Sequence, residues 1–186
     1  EGAAGVYVVD SAGGMLPGDV TRYVSQIKES FDRANIDGRI GYHGHDNLSL
    51  ATACSLSAID SGCSIVDGSL MGIGRSAGNA ATEILAMVLS KAGYTTGIDA
   101  WSAADLAEKT IKPFLERRWR NSSVEQALGY KEIHSGFFPL LEEVANEKEL
   151  SVRDIILSLD NDAKNNMSKQ SVLIAANEVI KSTKKS

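Results

Sequence analysis

Cysteine is nearly absent from this chain: Cys54 and Cys63 are the only two in 186 residues. That excludes the disulfide frameworks of small secreted domains, and a cysteine on an apolar stretch reads as a buried, reduced thiol. Only three prolines, and no glycine period, exclude a collagen-like chain. Positive charge is also in deficit. A formal net charge of −5 argues against a sequence-independent grip on nucleic acid, whose phosphates reward a basic face. No apolar run reaches the roughly 18 residues that a membrane span needs, and the first residues lack a basic segment followed by an apolar core. The expectation is a cytoplasmic protein that contacts neither membrane nor nucleic acid. In that compartment the Asn121-Ser-Ser sequon has no meaning. What remains, 43% hydrophobic and 23% charged residues, is the balance of a globular protein with one domain, or one domain and an appendage.

The first half alternates short β-branched runs with amphipathic helical stretches, the pattern of βα units around a parallel sheet. Val6–Val9 is the first strand, closed by Asp10-Ser-Ala-Gly-Gly14. A helix starting at Pro17-Gly18-Asp19 carries Val20, Tyr23, Val24, Ile27 and Phe31 on one face. Arg39–His43 is the second strand, and Asp46 and Asn47 suit the cap of a helix running to Gly62. Ser64–Asp67 is the third strand. A Gly-rich turn from Gly68 to Gly78 leads to a helix over Ala80–Ala92, stopped by Gly93. From about Trp101 the pattern is helical only. Ser102 with Asp105, and Ser151 with Asp154, resemble capping boxes, and the last helix near Ser168–Lys181 ends in a lysine-rich tail. The division expected is 1–100 for the βα units and 101–186 for an all-helical domain. Three parallel strands make a poor independent sheet, since such strands need cover on both faces and more neighbours. The start at Glu1, just before a buried-looking strand, suits a segment of a longer protein. The alternative is a complete small α/β protein without its initiator methionine.

Three places carry candidate chemistry. In His43-Gly-His45-Asp46-Asn47, strand alternation sends His43 and His45 to the same face, where two imidazoles can offer lone pairs to one ion. The C-terminal ends of parallel strands are also where α/β active sites sit. A pair of half-buried histidines bonded to carbonyls is the plainer alternative, and a metal site would still need a carboxylate. In Asp10-Ser11-Ala-Gly-Gly14, glycines let the backbone approach a ligand and Ser11 can donate to a carboxylate oxygen. Taken alone, that segment is a tight βα turn. Gly72-x-Gly74-x-x-Ala77 superficially meets a dinucleotide fingerprint, but a Rossmann unit should come first in the fold and be followed by a strand ending in an acid. A rim loop closing one side of a site is the better reading, with Arg75 or Asn79 available to polar ligands.

Taken together, Val8-Val-Asp-Ser-Ala-Gly-Gly14, Gly41-Tyr-His-Gly-His-Asp-Asn-Leu-Ser-Leu50 and the Val66–Glu83 run resemble the last three βα units of the pyruvate-handling, metal-dependent lyases. That superfamily of TIM barrels includes 4-hydroxy-2-oxovalerate aldolase, hydroxymethylglutaryl-CoA lyase and 2-isopropylmalate synthase. Asn47-Leu-Ser-Leu50, Ala127-Leu-Gly-Tyr130 and Ser135-Gly-Phe-Phe138 resemble the aldolase branch and its C-terminal helical domain. The fold implied is α/β: a partial TIM (β/α)8 barrel, its last three units, followed by an all-helical C-terminal domain. By the same resemblance His43 and His45 would be two of three protein ligands of a divalent metal, Mn²⁺ ahead of Mg²⁺, Co²⁺ or Zn²⁺. Ser11 would bind the pyruvate carboxylate. Asn79 matches a further metal ligand of the lyase branch that the aldolase branch does not use. His134 stands where the aldolases have the tyrosine thought to protonate the enolate, and so becomes the candidate catalytic proton donor. The Asp-Arg-Glu-type motif of the family's first strand has no equivalent here.

The activity implied is cleavage of a 4-hydroxy-2-oxo acid to pyruvate and an aldehyde. An acylating aldehyde dehydrogenase is the implied partner, and the missing N-terminal barrel half or a second copy is the expected cover for the open apolar faces. Rival readings are an acyl-CoA lyase or Claisen-condensing synthase, a non-catalytic partner-binding subunit, and a nucleotide-binding module on the Gly72 loop.

Overall fold

The computed structural model describes residues 2–115, 122–164 and 167–183; Asn121 of the sequon and the final lysines lie outside them. The elements run β1 (Gly5–Asp10), α1 (Pro17–Ala34), β2 (Arg39–Gly44), α2 (Ala51–Asp60), β3 (Ile65–Val66), α3 (Thr82–Lys91), α4 (Ala100–Thr110), α5 (Ser123–Tyr130), α6 (Phe138–Lys148), α7 (Val152–Ser158) and α8 (Lys169–Thr183). The three strands lie in the order β1-β2-β3 and are parallel throughout. β3 is short. The N–H groups of Ser64 and Asp67 nevertheless bond the Ile40 and Tyr42 carbonyls and extend its attachment to β2.

Alternation sorts the strand residues. Val8, Ile40 and Tyr42 turn toward the helices and join Val20, Val24, Cys54, Ala58 and Cys63 in one core. Each fully buried aliphatic side chain there contributes about 1.5–3 kcal/mol. Burial also pushes the Cys54 and Cys63 thiols up to about 11, so both are reduced, un-ionised core residues. The opposite face is open: Tyr7 and Val9 are exposed, and the Tyr7 ring lies across Gly41, where a Cβ would sit 2.6 Å from it. Tyr23, expected on the apolar face of α1, is exposed as well. It lies at the boundary of that face, and only Val20 and Val24 are fully covered.

A second core lies wholly among helices. Leu128, Ile133, Leu141, Val144, Ile155, Ile156 and Val172 are buried together, drawn from α5 to α8 and the turn after α5. α5 opens with a capping box: the Ser122 N–H donates to the Glu125 carboxylate at 2.8 Å, and the Glu125 N–H reaches Ser122 Oγ. Two expected caps differ. Asp99, not Ser102, caps α4, its carboxylate accepting from the Ser102 N–H at 2.6 Å. Ser151 does occupy the N-cap of α7, but without a side-chain cap bond, the Asp154 N–H meeting its carbonyl instead.

The two cores meet at a seam of small residues. A Cβ on Gly14 would collide with the Gly129 carbonyl, and one on Gly129 would sit 2.8 Å from Asn47 Cβ. Asn47 does not cap α2, as its position in the sequence suggested. Its Nδ2 donates instead to Ser76 Oγ at 2.9 Å and to the Glu125 carbonyl at 3.0 Å, tying α5 to the strand ends. Leu50 is the N-cap of α2, without a side-chain cap bond, and the Ala51 N–H donates instead to the Asp46 carboxylate at 3.0 Å. Because this seam has no room for a methyl group, Gly129→Ala is expected to lower unfolding stability by about 1–3 kcal/mol. Urea unfolding followed by circular dichroism measures it, and an unchanged midpoint would contradict such close seating.

Candidate metal and substrate site

The residues singled out in the sequence collect at one rim, the C-terminal ends of the strands. In the β1–β2 register Val9 faces His43 and Asp10 faces Gly44, so Ser11 comes level with His45. The turn carrying Ser11 is held by Asp10, which is buried. Its two carboxylate oxygens accept from the N–H groups of Gly14 at 3.1 Å and Met15 at 2.9 Å. Its carbonyl accepts from the His45 N–H, locking the turn to β2.

His43 and His45 are brought together as alternation requires, with ring centroids 5.3 Å apart and planes at 86°. Each ring is held by Nδ1. His45 Nδ1 lies 3.1 Å from the Gly78 carbonyl, and as the bond needs a hydrogen, the tautomer it selects carries the proton there. His43 Nδ1 lies 3.3 Å from Asp67 Oδ2, whose other oxygen receives the Tyr7 hydroxyl. Neither Nε2 has a hydrogen-bond partner among the described residues, the arrangement in which a second partner at Nδ1 orients a metal-binding imidazole. Burial, with the neighbouring His43 and Arg75, holds His45 below the usual histidine pKa and favours its neutral, ligating form.

The rim loop is zipped onto this pair. His45 bridges to Asn79, and the Asp46 N–H bonds the Gly78 carbonyl at 2.9 Å. Asn79 donates from Nδ2 to the Ile73 carbonyl, while its buried Oδ1 has no partner among the described residues. The two imidazoles form a donor pair of the kind that suits a borderline divalent cation. Among the described residues no group of three or more His, Cys, Asp or Glu is placed to hold a metal ion, so a metal on this pair would need a further ligand from elsewhere. The dinucleotide reading fails here. The loop glycines serve to fold the loop on itself, a Gly78 Cβ colliding with the Gly72 carbonyl, and the Glu83 carboxylate takes the Met71 N–H.

His134 reaches the same rim from the helical half. A cavity of about 260 Å³ is lined by Asp10, Ser11, Arg22, Tyr23, Glu132 and His134 among others, so Ser11 and His134 share one space. The His134 ring has a donor at each nitrogen: the Gly136 N–H at 2.9 Å from Nδ1 and Arg75 Nη2 at 3.1 Å from Nε2. Sequence reasoning named Arg75 only as available to polar ligands. Its contact with a residue 59 positions away had no local signal.

Asp10→Asn keeps the shape of the turn but replaces two charge-assisted acceptor bonds, and is expected to cost roughly 1.5–3 kcal/mol. Chemical unfolding measures that cost. Amide exchange at Gly14 and Met15 should quicken in the variant, and unchanged exchange there would show that the turn is held by something other than Asp10.

Comparison with known proteins agrees with this geometry. The HMGL-like family matches residues 1–109. A 4-hydroxy-2-oxovalerate aldolase of Geobacillus stearothermophilus is 40% identical over 158 residues, 85% of this chain and 45% of its own length. The enzyme of that name from Carboxydothermus hydrogenoformans is 38% identical, over 85% of this chain and 46% of its own. The chain therefore spans a little under half the length of these curated relatives. Among solved structures, the N-terminal domain of a proposed aldolase from Bacteroides vulgatus superposes with a TM-score of 0.65 at 30% identity, covering 82% of this chain and 47% of that one. The carboxyl transferase domain of Rhizobium etli pyruvate carboxylase shares the fold, with a TM-score of 0.70 at 18% identity over 95% of this chain and 32% of its own. With the family matched over more than half its residues and the paired histidines at the expected strand end, this chain belongs to the HMGL-like family.

Proposed function

We propose that this chain supplies part of the active site of a divalent-metal-dependent aldolase that cleaves a 4-hydroxy-2-oxo acid to pyruvate and an aldehyde. The observation that carries the reading is the His43–His45 pair, each ring tied at Nδ1 and open at Nε2, on the rim shared by Ser11. The 40% identity to a 4-hydroxy-2-oxovalerate aldolase supports the choice of substrate. The open sheet face, with Tyr7 and Val9 exposed, supports the further reading that β1 to β3 are the last three units of a TIM barrel. Residues 1–100 would then be barrel and 101–186 the helical domain.

In this reading His43 and His45 would hold the cation, Mn²⁺ first among the candidates, which would supply Lewis acidity for the enolate that cleavage leaves. Ser11 donates a hydrogen bond to the pyruvyl carboxylate and fixes its orientation in the small rim cavity. As the C3–C4 bond breaks, its electron pair remains on C3 and the 4-hydroxyl gives its proton to a base that the rest of the barrel would supply, leaving the aldehyde. His134, on the wall of the same cavity and with Nδ1 accepting from the Gly136 N–H, would deliver a proton from Nε2 to C3 once Arg75 turns from it, releasing pyruvate. The aldehyde would pass to an acylating dehydrogenase docked through the helical half.

Pyruvate release from 4-hydroxy-2-oxopentanoate, coupled to lactate dehydrogenase in the presence of Mn²⁺, tests the proposal. His43→Ala and His45→Ala are each expected to lower the rate by on the order of 100-fold or more, because metal affinity goes with the ligand. His134→Phe should lower kcat with little effect on KM. Turnover of an acyl-CoA thioester, and none of the hydroxy-oxo acid, would decide for the acyl-CoA branch and against this reading.

A further inference from the structure

Arg75 stands apart from the other paired cations. Among the described residues it meets no carboxylate, and its one bond is to His134 Nε2 at 3.1 Å. That bond is poorly matched. A neutral imidazole has a lone pair on only one ring nitrogen, yet the Gly136 N–H occupies Nδ1 at 2.9 Å while the guanidinium occupies Nε2. One donor is always in excess, and the guanidinium, on an exposed side chain of the rim loop, is the one free to turn away.

A place for it to turn lies beside it. A cavity of about 290 Å³ separates the rim loop from α5 and α6, lined by Arg75, Ser76, Ser122, Ser135 and Glu125 around an apolar floor of Val124, Leu128 and Phe138. Ser135 is 8% exposed, and its Oγ is buried without a hydrogen-bond partner among the described residues. A buried hydroxyl with no partner is costly unless something fills the cavity and bonds to it. The Glu125 carboxylate is already engaged by the Ser122 N–H at 2.8 Å and closes the helix cap. The cavity thus presents a guanidinium fork, an idle hydroxyl and an apolar floor, which together fit a short carboxylate with a few carbons behind it.

We propose that the cavity between the rim loop and α5–α6 is a binding site for a small carboxylate, held by Arg75 and Ser135, and that its occupation withdraws Arg75 from His134. The site is separate from the Ser11 cavity, with His134 between them. Once Arg75 leaves, His134 Nε2 is free to carry the proton while Nδ1 keeps the Gly136 N–H. The carboxylate has two possible sources: a second acidic group on the aldehyde half of the substrate, or a free small acid that acts as an effector. Only the first source rests on the aldolase reading.

The test is an NMR titration of the full chain with propionate, using propionamide as the neutral control and the His134 imidazole nitrogens as the readout. Expected is a saturable shift of the His134 Nε2 resonance with propionate alone. Arg75→Gln should weaken binding roughly 10-fold or more through loss of the charge-assisted fork, and Ser135→Ala about 5-fold. No saturable shift, an equal shift with propionamide, or undiminished binding in Arg75→Gln would overturn the proposal, whether or not the protein cleaves an aldol. A second arm compares 4-hydroxy-2-oxo acids of equal length ending in a carboxylate or a methyl. A preference for the acidic end in kcat/KM that Arg75→Gln abolishes identifies the substrate as the source. Equal rates, with propionate still bound, identify a free acid.

Discussion

Asn47 is 1% exposed, and one amide nitrogen bonds both Ser76 of the rim loop and the Glu125 carbonyl of α5. The candidate site is assembled around that junction. The strand ends carry Ser11, His43 and His45, the rim loop carries Arg75 and Asn79, and the helical half carries His134; the Asn47 side chain, on the strand-end segment, bonds the other two segments. The buried Oδ1 of this amide has no partner among the described residues, so its two matched Nδ2 bonds carry the desolvation cost alone, and they require α5 to sit at hydrogen-bond distance from the strand ends. The glycines at 13, 14 and 129 are the steric counterpart, since a methyl group at any of them would push that contact apart. A polar bond and a lack of side-chain volume together set the position of His134 relative to Ser11.

The electrostatics of the rim follow from the same closeness. His45 is buried against a peptide carbonyl, and its burial, with His43 and Arg75 near it, outweighs the Gly78 carbonyl and Asp10, which favour a positive charge on the ring. A neutral imidazole with its proton on Nδ1 has one use for its remaining lone pair, which is to accept or to ligate. Asp67 plays the corresponding part for His43 and also receives Tyr7. The rim loop contributes backbone where a side chain might have been expected: the Gly78 carbonyl orients His45 while the Gly78 position itself allows the loop to fold flat on Gly72. The glycine-rich segment is therefore a clamp on the histidine pair, in place of the phosphate cradle its spacing superficially suggested.

Much of this was legible in the residues. Period-two alternation alone puts His43 and His45 on one face, and the three strands and the helices after them follow from local pattern. What was not legible depended on distance in the chain. Asn47 has the composition of a helix cap, and the sequence carries no sign that its amide would instead reach residues 29 and 78 positions away. Asp99 outcompeted Ser102 as the cap of α4 because the helix begins three residues earlier than the pattern implied. Tyr23 has the right helical phase for burial but lies at the edge of a face that the short sheet covers only at Val20 and Val24. The pairing of Arg75 with His134 joins a loop to a helix turn across the seam, and no periodicity encodes such a contact.

The central claim is that His43 and His45 act together as imidazole donors to one divalent cation. Electron spin echo envelope modulation on the Mn²⁺-loaded protein reads ligating nitrogens directly, without any need for turnover. The account predicts modulation from two equivalent-type histidine nitrogens in the native chain, reduced to one in His43→Ala or His45→Ala. A Mn²⁺ signal without nitrogen modulation, or one unaffected by either substitution, would contradict it.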